Sequence, residues 1–326
     1  MPRKAVVMIP EPKDPMIEVT NLTKYYGDYP AVEDLSFTVD KGEILGFLGP
    51  NAAGKTTTMR ILTGFMPPTS GLVKVGGFDV VSQSLEARRH IGYLPETVPL
   101  YTDMTVQSYL DFMGNIRGMN KQWRKRRVSD VIDICHLEEY QHSLIGKLSK
   151  GFRQRVGIAQ AILHEPDVLI LDEPTIGIDP IQVVETRNLI KGFGGDHTVI
   201  LSTHILPEVS MVCERVIIIH EGQVVAVDKP DNLSERLKGT EKLEVEIRGP
   251  VAEVMPALRN IKGLQDVTHT SGEETSSYSI ESSSGEDLRE QISDLVLQKG
   301  WGLLKLQPVQ MTLEEIFLRL TTTETN

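Results

Sequence analysis

The sequence predicts an α/β fold, a parallel sheet covered by helices on both faces, followed by a small α+β domain. Three observations predict it. An apolar strand at 43–48 (EILGFL) runs straight into a glycine-rich loop, and a helical pattern follows. Short continuous apolar runs at 167–171 (DVLIL), 198–202 (TVILS) and 215–219 (RVIII) read as strands buried on both faces. Beyond residue 241 the order changes to strand, helix, strand, strand, helix, strand, a ferredoxin-like pattern.

The elements follow in order. Residues 16–21 and 34–39 alternate apolar and polar side chains, as half-buried strands do. After the glycine loop, TTTMRILTGF has helical spacing, with Met59, Ile61, Leu62 and Phe65 on one face. Residues 104–147 are mostly helical in pattern and interrupt the strands. The run at 215–219 is followed by the turn EGQ and the strand VVAVD. Composition shifts at 230–241, which reads as a linker. The last domain is then strand 242–248, helix 251–260, strands 264–270 and 277–281, helix 285–298, strand 301–307 and helix 312–320. Ser283 or Ser284 is the expected N-cap of the helix at 285.

The chain has 326 residues, 40% of them hydrophobic and 24% charged, with a formal net charge of −11. That length suits two domains. The acidic balance argues against a nucleic-acid binder. From Glu241 onward, 8 Lys and Arg face 15 Asp and Glu, so the excess concentrates there. The two cysteines, Cys135 and Cys213, stand in apolar surroundings and read as buried free thiols in a reducing compartment. No stretch reaches the roughly 18 to 20 apolar residues that span a bilayer. Residues 1–15 read as a flexible leader, its apolar run broken by Pro10, Pro12 and Pro15.

Residues 49–57 read GPNAAGKTT, and Gly49, Gly54, Lys55 and Thr56 fit the phosphate-loop pattern. Backbone N–H groups within residues 50–56, Asn51 and Ala52 among them, are expected to wrap a β-phosphate at the positive end of a helix. Lys55 reaches the β- and γ-phosphates, Thr56 offers its hydroxyl to Mg²⁺, and Thr57 supports the α-phosphate side. Ala52 stands where glycine is favoured. In a left-handed backbone it costs about 1 kcal/mol, expected to weaken ATP affinity several-fold without abolishing it. Asp172 and Glu173 close a buried strand, a costly place for acids unless chemistry needs them. Asp172 fits a carboxylate holding Mg²⁺ through water, and Glu173 fits the group that orients or deprotonates an attacking water. His204, just after the strand VILST, suits a γ-phosphate contact.

With LSKGFRQRVGIAQAIL from Leu148, these motifs resemble the signature of ABC-type ATPases over residues 16–225. The family usually reads L-S-G-G-Q there; this chain has Lys150 and Phe152 at the third and fifth places and keeps Leu148, Ser149 and Gly151. The resemblance implies a P-loop NTPase ABC cassette at 16–236, with a helical subdomain near 97–150 and an accessory or regulatory domain at 237–326. It also implies a sandwich dimer, either a homodimer or a pair with a second ATPase subunit. In that sandwich Ser149 and Gly151 face the partner's ATP, and Asp179 of TIGIDP lies at the seam. Residue by residue, Tyr26 resembles the aromatic that stacks on adenine, with Tyr25 as rival. Glu96, in IGYLPE, takes the place of the family's usual glutamine as ligand to nucleotide and Mg²⁺; Glu occurs there in the branch this chain resembles most. An alternative reading leaves 148–163 as a plain amphipathic helix with Arg153, Gln154 and Arg155 solvated.

The stretches IGYLPE, LSKGFRQR and VQMTLEEIFLRLT resemble the ABC-2 exporter branch, which includes gliding-motility, drug and polysaccharide exporters. That implies a separate polytopic permease and a place on the inner face of the cell membrane, held there through it. Tyr93, Leu94, Leu100, Tyr101 and Met104 form the candidate docking strip. The basic run at 117–127 reads first as a solvated helix face, then as a contact for anionic lipid, with nucleic acid a distant third. Two alternatives stay open: a membrane-bound mechanical ATPase that transports nothing, and a soluble ABC ATPase.

Overall fold

The computed structural model describes residues 14–230, 232, 242–271, 276–282 and 288–309. They divide after Pro230 into two compact units. Outside the described residues lie most of the leader, nearly all of the expected linker, Ser283 and Ser284, the helix expected at 312–320 and most of the tail VQMTLEEIFLRLT.

The first unit has two sheets. Strands β1 (Pro15–Tyr26) and β2 (Tyr29–Asp40) form an antiparallel hairpin that turns at Gly27, whose φ is +60°. Joined by β4 (Ser70–Val75) and β5 (Phe78–Asp79), they make a four-stranded sheet in the order β2-β1-β4-β5. The other sheet runs β10-β9-β3-β8-β7-β6, built from β3 (Ile44–Leu48), β6 (Ile91–Leu94), β7 (Val168–Asp172), β8 (Thr198–Thr203), β9 (Arg215–His220) and β10 (Gln223–Asp228). Five of these strands are parallel, and β10 is an antiparallel edge.

Helix α1 (Lys55–Leu62) buries Met59, Ile61 and Leu62 between the sheets, whose cores also meet where Phe37 and Phe47 stand 5.6 Å apart. Phe65 lies past the end of α1 and is exposed, so it leaves the face predicted for it. The sequence reading also passed over β4 to β6 and α2 (Ser84–Arg89); β5, β6 and α2 are too short to show a period.

Between β6 and β7 come α3 (Val106–Ile116), α4 (Lys121–Ile134) and α5 (Lys150–Ile162), with 3₁₀ turns at Glu138–Tyr140 and Ile145–Lys147. Thr105 and Asn120 cap α3 and α4 by accepting from the N–H groups of Ser108 and Trp123. The basic run is only partly a solvated face. Arg124 binds Asp111 at 2.7 Å, and Arg127 reaches Glu165 and the carbonyls of Ile162 and Leu163. Cys135 and Cys213 are both free and buried, and burial pushes both thiol pKa values well up.

The second unit sets β11 (Lys242–Arg248), β12 (Leu264–Ser271), β13 (Ser276–Ser282) and β14 (Gly302–Val309) in the antiparallel order β12-β13-β11-β14. Helices α8 (Val251–Arg259) and α9 (Arg289–Gln298) complete the ferredoxin-like connectivity. Val254, Leu258, Ile292 and Val296 pack on Leu243, Val245, Tyr278 and Ile280. Helix α9 starts four residues later than expected, and its N-cap is Leu288, which makes no side-chain cap bond.

Candidate functional site

The loop after β3 shows why its residue types are needed. A Cβ on Gly49 would collide with the carbonyl oxygen of Ile219, and one on Gly54 would come within 2.5 Å of the Ala31 carbonyl. Gly54 also takes φ +102° as the N-cap of α1. Ala52 sits at φ +64°, so the left-handed conformation considered for it is real. Lys55 is 6% exposed, and its Nζ donates to the carbonyls of Gly49 at 2.7 Å and Pro50 at 3.1 Å. The same ammonium stands 3.4 Å from Glu173 Oε1.

A cavity of about 300 Å³ opens over this loop. Asn51, Ala52, Gly54, Lys55, Thr56, Thr57, Tyr26, Glu96 and Glu173 all line it. Gly49 lies just beneath, reached through Lys55. Of the rival tyrosines, Tyr26 faces the cavity and Tyr25 does not. Its hydroxyl donates to Met66 Sδ at 3.1 Å. Tyr29, 59% exposed, also lines the cavity and escaped the sequence reading, because nothing in its spacing to the loop marks it.

Glu173 follows β7 at φ +50°, an uncommon conformation for a residue with a side chain. Its N–H donates to Ser202 O at 3.0 Å, and its Oε2 lies 2.9 Å from His204 Nδ1. Lys55, Glu173 and His204 thus meet at one carboxylate. Asp172 stands one residue back, in an adjoining pocket lined also by Thr56 and Glu96. It is fully buried, and neither carboxylate oxygen has a hydrogen-bond partner. Burial raises its pKa; the nearby hydroxyls of Ser202 and Thr56 pull it partly back, although neither is in hydrogen-bonding geometry. Tyr93, in the same pocket, is pushed up to about 12 by burial and by Asp172.

Ser149, Gly151 and Asp179 do not line the cavity that holds Lys55. Ser149 caps α5, accepting from Phe152 N at 3.3 Å. Asp179 caps α6 (Pro180–Lys191), accepting from Gln182 N at 3.0 Å. Gly151 packs against the Gln182 side chain, with no room for a Cβ. Gln154 and Arg155 are buried, and Arg155 pairs with Glu185, which excludes the solvated-face reading of this helix. In the docking strip, Tyr101 is exposed and Tyr93, Leu100 and Met104 are half-buried. Leu94 is a correction: it points into the core with 0% exposure, because β6 is covered by α5.

Among the described residues no three His, Cys, Asp or Glu gather into a metal cage, and no helix is long and apolar enough to cross a membrane.

The ABC transporter family profile matches residues 32–176. The linearmycin resistance ATP-binding protein LnrL of Bacillus subtilis is 32% identical, over 94% of this chain and 98% of its own length. The bacitracin transport ATP-binding protein BcrA of Bacillus licheniformis is 34% identical, over 94% of this chain and 97% of its own. A solved ATP-binding subunit of an ABC transporter superposes with a TM-score of 0.61 at 32% identity, covering 68% of this chain and 92% of that one. A dimeric bacterial ABC transporter cassette gives 0.61 at 25% identity, covering 66% and 99%.

Proposed function

The chain belongs to the ABC transporter family as an ATP-binding, ATP-hydrolysing subunit, and from that premise we propose that it dimerises on ATP and drives a separate membrane permease in export. The observation that carries this reading is a division of the site. Lys55 and Glu173 line one cavity, with His204 on the Glu173 carboxylate, while Ser149, Gly151 and Asp179 neither line it nor touch that carboxylate. A second subunit is needed to bring donors of the Ser149 type over the γ-phosphate.

The cavity suits each step of hydrolysis. The β- and γ-phosphates settle on the loop N–H groups and the N-terminus of α1, and take over part of the Lys55 ammonium from the Gly49 and Pro50 carbonyls. Adenine stacks on Tyr26. Mg²⁺ fits beside Thr56, Asp172 and Glu96, because the Asp172 oxygens are buried and unpartnered, which a cation or its water shell relieves. Held by these residues, the ion would supply positive charge to offset that of the phosphates. Glu173 takes the proton of the attacking water, while His204 holds the carboxylate and contacts the γ-phosphate.

The names of the two relatives, bacitracin transport and linearmycin resistance, support export of an antibiotic as the work performed. The permease docks on the face that carries Tyr101, and the chain sits on the inner face of the membrane through that contact. The unit beyond Asp231 is an accessory domain that regulates or steadies the dimer. Affinity purification from gently solubilised native membranes tests the whole reading. A polytopic membrane protein in fixed stoichiometry is the expected result; recovery only as a soluble chain would overturn it.

A further inference from the structure

Glu208 has no part in the mechanism above, yet it is 5% exposed and carries a carboxylate. It lies on α7 (Leu206–Val212), the short helix after His204. Its Oε2 accepts two hydrogen bonds, from Thr175 Oγ1 at 2.8 Å and from Thr203 Oγ1 at 3.0 Å. Thr175 is two residues past Glu173, and Thr203 is one residue before His204. Both hydroxyls are buried. One oxygen therefore ties the chain leaving β7 to the chain leaving β8, at the points where the two functional side chains depart.

The surrounding bonds give the tie a purpose. Thr203 Oγ1 also accepts from Ile205 N at 3.1 Å, which fixes the turn that carries His204. Glu173 holds φ +50°, a conformation that persists only when neighbours over-determine it. Among the described residues no Lys, Arg or His forms an ion pair with Glu208, so charge neutralisation is not its role. Two hydroxyl donors converging on a buried carboxylate make a strong, directional clamp.

We propose that Glu208 is a positioning residue for hydrolysis: through Thr175 and Thr203 it sets the separation of Glu173 and His204 and touches neither nucleotide nor water. The inference rests on the catalytic reading of Glu173.

The test uses the full chain, with steady-state ATPase activity, nucleotide binding by a fluorescent ATP analogue, and single-turnover hydrolysis for slow variants. Glu208→Ala should lower kcat on the order of 10- to 100-fold, the scale of a small misplacement, with KM and analogue binding changed less than about two-fold. Glu208→Gln keeps an acceptor oxygen and should recover most of the rate. In a Glu173→Gln background, Glu208→Ala should cost far less than in the parent, since the carboxylate whose placement against His204 it sets is already gone. If Glu208→Ala does not fold, Thr175→Val with Thr203→Val removes the same two bonds and is read the same way. The proposal is overturned by a folded variant with normal kcat, by a loss of binding that matches the loss of rate, or by losses that multiply with Glu173→Gln. Normal turnover in Glu173→Gln alone would instead remove the catalytic reading beneath it.

Discussion

Glu173 and His204 face each other across the ends of two neighbouring parallel strands, with Glu173 Oε2 2.9 Å from His204 Nδ1. The other oxygen of that carboxylate lies 3.4 Å from Lys55 Nζ. A base held from both sides has its free lone pairs directed, and it loses little time in unproductive rotamers. A carboxylate only accepts, so the imidazole carries its proton on Nδ1 and donates it to Glu173, which leaves Nε2 free of that bond.

Glu173→Gln keeps the shape and the His204 contact but removes the basic oxygen. Hydrolysis should slow by a factor of about 100 or more, the ordinary worth of a positioned general base, while nucleotide binding stays near that of the parent. Rapid-quench hydrolysis and equilibrium binding of the same preparation check both halves. Near-normal turnover would remove Glu173 as the catalytic base.

Much of this was legible in the sequence because the site is built from local signals. Strand, glycine loop and helix are contiguous from Ile44 to Leu62, and of the acid pair Asp172 is the last residue of β7 and Glu173 the next. What sequence did not show depends on contacts distant along the chain. The hairpin sheet needs β1 to find β4 some fifty residues on, and Leu94 is buried only because α5 lies over β6. Tyr29 and Glu208 belong to no motif. Each matters through neighbours that only folding brings near, such as Thr175, 33 residues from Glu208.

Ala52 is held at φ +64° in the folded chain, so its strain is a property of the fold. Ala52→Gly should therefore raise stability by up to about 1 kcal/mol, or roughly 2 °C in melting temperature, with ATP affinity within about two-fold of the parent. A scanning melt and a binding isotherm separate the two effects. Several-fold tighter binding without a change in melting temperature would show that the loop acquires the left-handed conformation only on binding.

Asp172 is buried without partners, and burial raises its pKa. The charged form therefore costs stability in the folded chain, and that cost grows as pH rises through the folded pKa. Below the unfolded carboxylate value of about 3.8 both states are protonated and the cost is gone. Asp172→Asn should stabilise the metal-free chain at pH 7.5 by about 1 kcal/mol, since desolvating a charge costs more than desolvating an amide. The advantage should shrink toward zero as pH falls to the carboxylate range. The same variant should lose the extra melting stability that Mg²⁺ adds to ATP. A destabilised variant would mean that Asp172 is held by its neighbours and gains nothing from a cation.

Ser149 stands outside the cavity that holds Lys55, and its side chain caps α5. Two consequences of Ser149→Arg must be kept apart. Loss of the cap costs about 1 kcal/mol of stability, visible as a small drop in melting temperature. Blocking the N-terminus of α5 should abolish turnover while leaving ATP on the isolated chain, because the Lys55 cavity is untouched. Mixing distinguishes a composite site from a merely weakened fold. Ser149→Arg chains still carry an intact Lys55 cavity, and Lys55→Ala chains still carry an intact Ser149. If the site is shared between subunits, the two inactive variants together should regain part of the parent activity, since one of the two sites in a mixed dimer has both halves intact. No recovery at concentrations where the parent dimerises would place Ser149 within its own chain's site and remove the sandwich arrangement.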